Sequence, residues 1–318
     1  MPFEQCTQVD VYARRVNRSA HPRRERLNVD FSALTAALPV LALFPAWYVA
    51  ISFFFLVTTP LLDLSYPLFL VVAALGSVVM FLPLTQRVFV TRMLGVRRLR
   101  EQERRRIEPA LRIVAASAGA TRRRFVLAIE DSVELNAFAC GGHILVVSSF
   151  ALDRLDDDAL TAVVAHEFAH HLGAHTVGLA LAQWFSLPVI ACARLGSFLR
   201  RISGRMIDRV EGGSIVVVSI ARSVVFLIDV IAWLFESTLV AVQHLNDRVG
   251  HGAEFRADRR VVEMGFGRQL VTALTLVADV DGSAHSRNGD ARESIYSSHP
   301  PARTRIARIE AMLRNRRR

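Results

Sequence analysis

Two long stretches without a charged side chain place the strongest constraint on the fold of this chain. Residues 31–62 carry no charge, residues 64–86 carry none either, and Asp63 alone separates them. A helix needs about 20 apolar residues to cross the hydrocarbon core of a bilayer, so each stretch is long enough to span. The pattern predicts a transmembrane helical hairpin over 31–90, with the lipid bilayer as a partner.

Arginine flanks this hairpin on both sides. Residues 1–30 hold six arginines and residues 87–106 hold eight, whereas residues 31–86 hold none and the chain contains no lysine. Because basic flanks stay on the cytoplasmic side of a membrane, both flanks are predicted to be cytoplasmic. The same placement argues against a nucleic-acid partner, since no basic–aromatic binding module is visible.

The segment His166-Glu167-Phe168-Ala169-His170 predicts a zinc site that includes its own general base. Residues four apart lie on the same face of an α-helix, so both imidazoles can reach one metal ion. A helix over 156–172 is indicated by three acidic residues at its start and by apolar residues at helical spacing. This arrangement is typical of a zinc-dependent peptidase, with one ion per chain.

A third metal ligand is predicted 84 residues after His170, at Glu254. Catalytic zinc usually takes three protein ligands and keeps its fourth position for water or substrate. Glu254 and Asp258 share a helical face, so both carboxylates point the same way. Asp258 is then placed to accept the free N–H of a liganding histidine, which fixes the tautomer of that histidine.

The remaining segments predict further helices and a small sheet. Residues 97–118 form an amphipathic helix, residues 125–129 and 143–148 are strands, and Cys140-Gly141-Gly142 is a turn signal between them. A polar loop is expected at 279–294.

Two further apolar segments, 176–193 and 214–243, allow two interpretations. The second contains Arg222, Asp229 and Glu236 at intervals of seven residues, which places the three charges on one stripe of a helix. Such a stripe is expected to face protein or a water-filled cavity rather than lipid. The two segments either span the membrane beside the first pair or rest on the membrane face of the enzyme, with spanning slightly favoured.

The order of these features resembles that of the HtpX membrane metalloproteases, relatives of the integral-membrane CAAX prenyl proteases. Asn136-Ala137-Phe138-Ala139-Cys140-Gly141 is similar to a family segment ahead of the metal helix. Ser297-Ser298-His299-Pro300-Pro301, followed by Arg305-Ile306, resembles a family signature near the C-terminus. The resemblance implies a multi-pass endopeptidase of the bacterial inner membrane that cleaves damaged or misassembled membrane proteins at the cytoplasmic face, in quality control and stress response.

The fold class expected on these grounds is a mainly α membrane protein, with transmembrane helices and a gluzincin-type α+β zinc peptidase domain containing a small β-hairpin or sheet. Five regions are expected: a basic cytoplasmic segment (1–30), a transmembrane hairpin (31–90), the first half of the peptidase domain (91–175), the second apolar pair (176–243) and the second half of the peptidase domain (244–318).

Roles can be assigned within the expected site. His166, His170 and Glu254 bind zinc, Glu167 is the general base, and Asp258 supports a ligand. By resemblance and residue type, His299 is the candidate donor to the oxyanion of the tetrahedral intermediate. Residues Asn136, Ala137, Phe138 and Ala139 can pair through their backbone with an extended substrate, which favours unfolded polypeptide or membrane-protein substrates.

Two other functions remain open at this point. The chain could process one dedicated peptide or lipid-modified substrate, or it could be an inactive membrane scaffold. Neither the physiological substrate nor the oligomeric state follows from the sequence.

Overall fold

The computed structural model describes residues 31–61, 63–79, 82, 85, 95–120, 125–133, 135–140, 143–172, 175–210, 214–285 and 300–316. His299 and the basic segment 1–30 lie outside the described residues, as does most of the end of the second uncharged stretch.

Helices and three short strands make up the described chain. The helices are α1 (Phe31–Thr58), α2 (Tyr66–Val79), α3 (Glu101–Ser117), α4 (Ser149–Arg154), α5 (Asp157–Leu172), α6 (His175–Val210), α7 (Ile215–Met264), α8 (Gly267–His285) and α9 (Ala302–Asn315). The strands are β1 (Val126–Glu130), β2 (Ala137–Cys140) and β3 (Ile144–Ser148). The loop expected at 279–294 is wrong for residues 279–285, because α8 continues to His285, and residues 286–294 lie outside the described residues.

The chain divides into two compact units. The first contains the described residues within 31–35, 82–177 and 247–316, and the second contains those within 36–79 and 178–246. The long helices α6 and α7 each contribute residues to both units.

The second unit is a group of apolar helices. Ala37–Thr58, Val177–Ser203 and Ile215–Met264 are each long and apolar enough to cross a membrane. The fifty residues of α7 measure about 75 Å at 1.5 Å per residue, so only part of this helix can lie in a bilayer. The described part of α2 is 14 residues long, shorter than a crossing.

Trp47 lies in the core of this second unit and not at an interface. Its side chain is buried, and its ring centroid is 4.9 Å from that of Phe185 on α6. Leu43, Val189 and Phe235 belong to the same buried cluster. An aromatic residue in the middle of an apolar helix is therefore explained here by helix packing.

The charged stripe of α7 faces a charge on the neighbouring helix. Arg200 of α6 places Nε 3.3 Å from Asp229 Oδ1 and Nη2 3.2 Å from Glu236 Oε1. Ser197 donates a hydrogen bond to Glu236, at 2.7 Å. Two of the three stripe residues thus contact protein, the first of the two environments expected for such a stripe.

A three-stranded sheet with the order β1-β3-β2 lies in the first unit. β1 pairs with β3 in parallel, from Val126 opposite Ile144 to Glu130 opposite Ser148. β2 pairs with β3 in antiparallel fashion, and its Cys140 lies opposite Ile144. The sequence predicts strands at 125–129 and 143–148 with a turn signal between them, and the structure contains both, as β1 and β3. The structure adds a strand that the local pattern did not predict, β2, which ends at Cys140; Gly141 and Gly142 lie outside the described residues.

Helix α5 lies in the core of the first unit. The Asp156 side chain accepts a hydrogen bond from the Ala159 backbone N–H at 2.7 Å, which satisfies one of the free N–H groups at the helix start. Leu160 and Phe168 are fully buried, and the Phe168 ring lies 4.4 Å from that of Phe125. Packing on several sides, rather than one amphipathic face, thus holds this helix in place.

Candidate metal centre

Helix α5 presents two imidazoles side by side in the interior of the protein. The Nε2 atoms of His166 and His170 lie 3.2 Å apart, and the ring planes are nearly perpendicular. The side chain of Glu167, between them in sequence, is also buried. The helical spacing of four residues therefore produces the paired ring nitrogens that it predicts.

Helix α7 adds a carboxylate to this pair from 84 residues further along the chain. Glu254 is buried, with Oε2 3.2 Å from His166 Nε2 and Oε1 3.2 Å from His170 Nε2. Among the described residues, these three form the group of His, Cys, Asp and Glu side chains close enough to hold a metal ion. The structure thus brings together the three residues predicted as ligands.

The spacing of the three ligand atoms fits a zinc ion. Zinc–nitrogen and zinc–oxygen bonds of about 2.0–2.1 Å at tetrahedral angles place neighbouring ligand atoms about 3.3 Å apart. The Nε2 atoms of His166 and His170 are 3.2 Å apart, and each lies 3.2 Å from a different oxygen of the Glu254 carboxylate. Two imidazoles and one carboxylate are also a ligand set that zinc uses in hydrolases.

Asp258 lies one helical turn beyond Glu254 and contacts the other side of the His166 ring. Its Oδ1 is 3.1 Å from His166 Nδ1, within hydrogen-bonding distance. A carboxylate at this position stabilises the tautomer that carries the proton on Nδ1, which leaves Nε2 free to face Glu254 and His170. The structure therefore places Asp258 where the sequence predicted it.

Arg305, on α9, is a buried residue of the site to which the sequence reasoning gave no role. Its Nε and Nη2 donate to the two carboxylate oxygens of Asp258, at 2.9 and 2.7 Å, and its Nη1 lies 3.0 Å from Glu254 Oε2. A signal for it exists in the sequence. Arg305 stands four residues before Ile309, so an arginine occupies the apolar face of the helix on which Ile309 is buried.

The charges around His166 act on it in opposite directions. Burial and the neighbouring Arg305 guanidinium lower the pKa of His166, but the carboxylates of Glu254 and Asp258 outweigh both and raise it to about 10. In the absence of a metal, the site therefore binds a proton on His166. The cluster is built to hold positive charge.

Further contacts fix the two ligand-bearing helices relative to each other. Arg260, on α7, donates to the backbone carbonyl of Ala169 at 2.9 Å, next to His170. At the end of α5, His171 Nε2 donates to the carbonyl of Ile144 at 3.1 Å and ties this helix to β3. Burial lowers the pKa of His171 to about 4, so that the ring stays neutral.

The segment predicted to bind substrate lies beside this helix. Ala137, Phe138 and Ala139 belong to β2, which packs against α5 and ends the sheet among the described residues. Asn136 is exposed, with its side chain 3.3 Å from Glu130 and its backbone N–H donating to Ser148 Oγ at 3.1 Å. An extended polypeptide can pair with a terminal strand of this kind.

A family model, described as peptidase family M48, matches residues 101–313, which is two thirds of the chain and includes every described residue of the cluster. The chain belongs to peptidase family M48. This is a family of metal-dependent peptidases, so the His-His-Glu cluster is the kind of site that membership requires.

Curated proteins similar to this chain are HtpX proteases. A "Protease HtpX homolog" of Neisseria meningitidis is 28% identical over 199 residues, covering 58% of this chain and 66% of that protein. A second, from Bacillus subtilis, is 28% identical over 239 residues, covering 69% of this chain and 76% of that protein. The chain spans just under two thirds of the first of these relatives.

Among solved structures, the chain is similar to the crystal structure of Ste24p from S. mikatae. That match has a TM-score of 0.45 and 18% identity, and covers 88% of this chain and 64% of the other.

Proposed function

We propose that this M48 protein is a membrane-bound zinc endopeptidase with one zinc ion per chain, held by His166, His170 and Glu254. The observation that carries the proposal is a set of three contacts of 3.2 Å in the interior of the first unit: one between the two imidazole Nε2 atoms, and one from each of these atoms to a different oxygen of Glu254. Membership of family M48 and three helices of membrane-spanning length support it.

Glu167 is the proposed general base. A zinc ion at such a site lowers the pKa of water to about 7 and polarises the substrate carbonyl. Glu167 neighbours the ligand His166 in sequence and is buried, which supports its proposed role as the carboxylate that accepts the proton of the attacking water. It then donates that proton to the leaving amine of the cleaved peptide bond.

The substrate is proposed to bind as an extended strand along β2. Backbone pairing with Asn136, Ala137, Phe138 and Ala139 recognises a free main chain and little of the side-chain sequence. Such a mode requires an unfolded or loosely folded polypeptide, which suits the removal of damaged or misfolded membrane proteins. His299 remains the proposed donor to the oxyanion.

The active site is proposed to face the cytoplasm, in the bacterial inner membrane. The support is the placement of arginine on both flanks of the first uncharged stretches, which keeps these flanks on the cytoplasmic side. The first unit then belongs to the cytoplasmic part of the protein.

The decisive experiment is the variant Glu167→Gln, compared with wild type on an unfolded substrate such as casein. The variant keeps the metal ligands and loses the base, so cleavage is expected to fall by about 10²- to 10⁴-fold, with an unchanged zinc content by atomic absorption. Glu263→Gln is the matched control, because Glu263 is a partly exposed glutamate of α7 that pairs with Arg259. Cleavage retained by zinc-loaded Glu167→Gln would overturn the assignment.

A dedicated processing peptidase would use the same chemistry on a narrower range of substrates. Comparing the proteomes of cells that carry wild type or Glu167→Gln separates the two possibilities. Many stabilised membrane proteins support quality control, whereas one accumulated precursor supports dedicated processing.

A further inference from the structure

Arg305 connects the C-terminal helix to both carboxylates that α7 contributes to the candidate metal centre. Its side chain is 8% exposed, and its guanidinium forms a two-point pair with Asp258 and a single contact with Glu254. Its Nη2 also lies 3.1 Å from His166 Nε2 and 3.3 Å from His166 Nδ1. The guanidinium therefore lies against the ring of one proposed ligand while it holds the carboxylate of another.

The charge of the site explains why a cation belongs there. Glu167, Glu254 and Asp258 are three buried carboxylates, each less than a tenth exposed. Burying carboxylates without compensating charge is costly. Arginine stays protonated at all accessible pH values, so Arg305 reduces the formal charge of the three from −3 to −2. A divalent cation then brings the site to neutrality.

The geometry of the pair also restricts how Asp258 can turn. A two-point guanidinium–carboxylate pair fixes the plane of the carboxylate as well as its position. Asp258 Oδ1 accepts from Arg305 and faces His166 Nδ1 at the same time, at 2.7 and 3.1 Å. Fixing the Asp258 carboxylate therefore fixes the direction of the His166 N–H bond, and with it the direction of Nε2.

We propose that Arg305 is a positioning residue of the metal centre, acting on His166 through Asp258 and directly on Glu254. This inference rests on the proposed function for the identity of the metal site. It adds that the site is completed by a helix more than 45 residues beyond Glu254 in sequence. Docking of α9 thus sets the orientation of ligands carried by α5 and α7.

The chain offers a matched control on the same helix. Arg308 places its guanidinium 3.8 Å from the centre of the Phe255 ring, so it too joins α9 to α7. This contact involves none of the three candidate ligands His166, His170 and Glu254. Arg308→Ala therefore weakens the docking of α9 without removing the charge beside Glu254 and Asp258.

The experiment compares Arg305→Ala, Arg305→Lys and Arg308→Ala in the purified full-length chain loaded with Co²⁺ or Zn²⁺. The visible spectrum of bound Co²⁺ reports ligand geometry, and the rate of metal loss to a chelator reports how firmly the ligands are held. Loss of an outer partner of a metal ligand lowers metal affinity by about 10- to 100-fold. We expect an altered Co²⁺ spectrum and metal release at least about tenfold faster in Arg305→Ala.

Added guanidinium ion provides the sharper test. At concentrations that leave the wild type folded, it should slow metal release from Arg305→Ala and restore part of its peptidase kcat, with little change in KM. Arg305→Lys should be intermediate, because lysine keeps the charge but not the two-point pair. Arg308→Ala should match the wild-type spectrum and show no response to guanidinium.

An unchanged Co²⁺ spectrum and release rate in Arg305→Ala would overturn the proposal. So would equal effects of Arg305→Ala and Arg308→Ala without guanidinium rescue, because the residue would then only dock the helix. If Arg305→Ala does not fold, Arg305→Lys with the same two measurements decides the question. The metal readouts do not depend on cleavage, so they remain informative even if Glu167→Gln refutes the peptidase assignment.

Discussion

His171 should make the first unit sensitive to acid over a defined pH range. Burial lowers the pKa of this histidine from 6.5 to about 4, and the ring donates a hydrogen bond from α5 to the Ile144 carbonyl on β3. Between those two values the unfolded chain binds a proton that the folded chain excludes. The free energy of unfolding therefore falls as the pH drops from 6.5 towards 4.

The size of the effect follows from the same shift. A fall of the pKa from 6.5 to about 4, at 1.36 kcal/mol per unit, corresponds to about 3 kcal/mol. Two carboxyl groups with lowered pKa values act only at the acid end of this range and below it, under about pH 5. Arg97 lowers the pKa values of Glu103 and Asp131 below their usual 4.5 and 3.8, so the stability that they add is lost only under more acidic conditions. The raised pKa of His166, about 10 in the metal-free protein, contributes a constant amount below 6.5.

Hydrogen exchange of the metal-free protein measures this directly. The three tryptophans, Trp47, Trp184 and Trp233, all belong to the second unit, so fluorescence does not report on the first. Buried amides of α5 and β3, corrected for the intrinsic pH dependence of exchange, should lose about 3 kcal/mol of opening free energy between pH 6.5 and 4.

The variant His171→Gln is the control for this measurement. Glutamine keeps an N–H donor for the Ile144 carbonyl but has no titrating group, so its opening free energy should be nearly constant over the same range. If the variant retains the pH slope of the wild type, the reasoning is refuted and the slope belongs to another group.

Two further predictions concern the second unit and the topology. Gly196→Ala should destabilise the pairing of α6 and α7 by about 1–3 kcal/mol, because a Cβ there would lie 2.6 Å from the Ala232 Cβ. Tryptophan fluorescence during unfolding in micelles measures it, and Gly76→Ala, whose Cβ would lie 3.9 Å from Trp184, should be nearly neutral. In a chain without its native cysteines, a cysteine scan of 196–211 should find positions that an impermeant reagent labels from outside the cell. A cysteine replacing Glu310 should react only after lysis, and the reverse pattern would contradict the proposed orientation.

Local spacing explains which parts of the site could be predicted. The residues of α5 were predicted as a helix over 156–172, and the structure gives Asp157–Leu172. His166 and His170, like Glu254 and Asp258, are pairs four residues apart on single helices, and a helix brings such pairs together whatever the rest of the fold does. Four of the site residues could therefore be named before any tertiary contact was known.

The sheet shows where local patterns stop being sufficient. The sequence Ala-Phe-Ala-Cys of β2 contains no β-branched residue, so its propensity for a strand is weak. It forms a strand because β3 provides a partner, with every residue from Ile144 to Ser148 buried. β1 and β3 run parallel because of contacts between the two strands. The alternation of apolar and polar residues along a single strand does not encode this direction.

Arg305 was named only as part of a family signature and was given no role, for a related reason. Its contacts with Glu254, Asp258 and His166 join residues 51, 47 and 139 positions apart, and no helical or strand period relates such positions. What the sequence does contain is a conflict, because an arginine occupies the buried face of α9 four residues before Ile309. Such a conflict is stable only if carboxylates meet the charge in the interior. A buried arginine therefore predicts that acidic partners lie nearby, and here those partners are the two carboxylates that α7 brings to the metal centre.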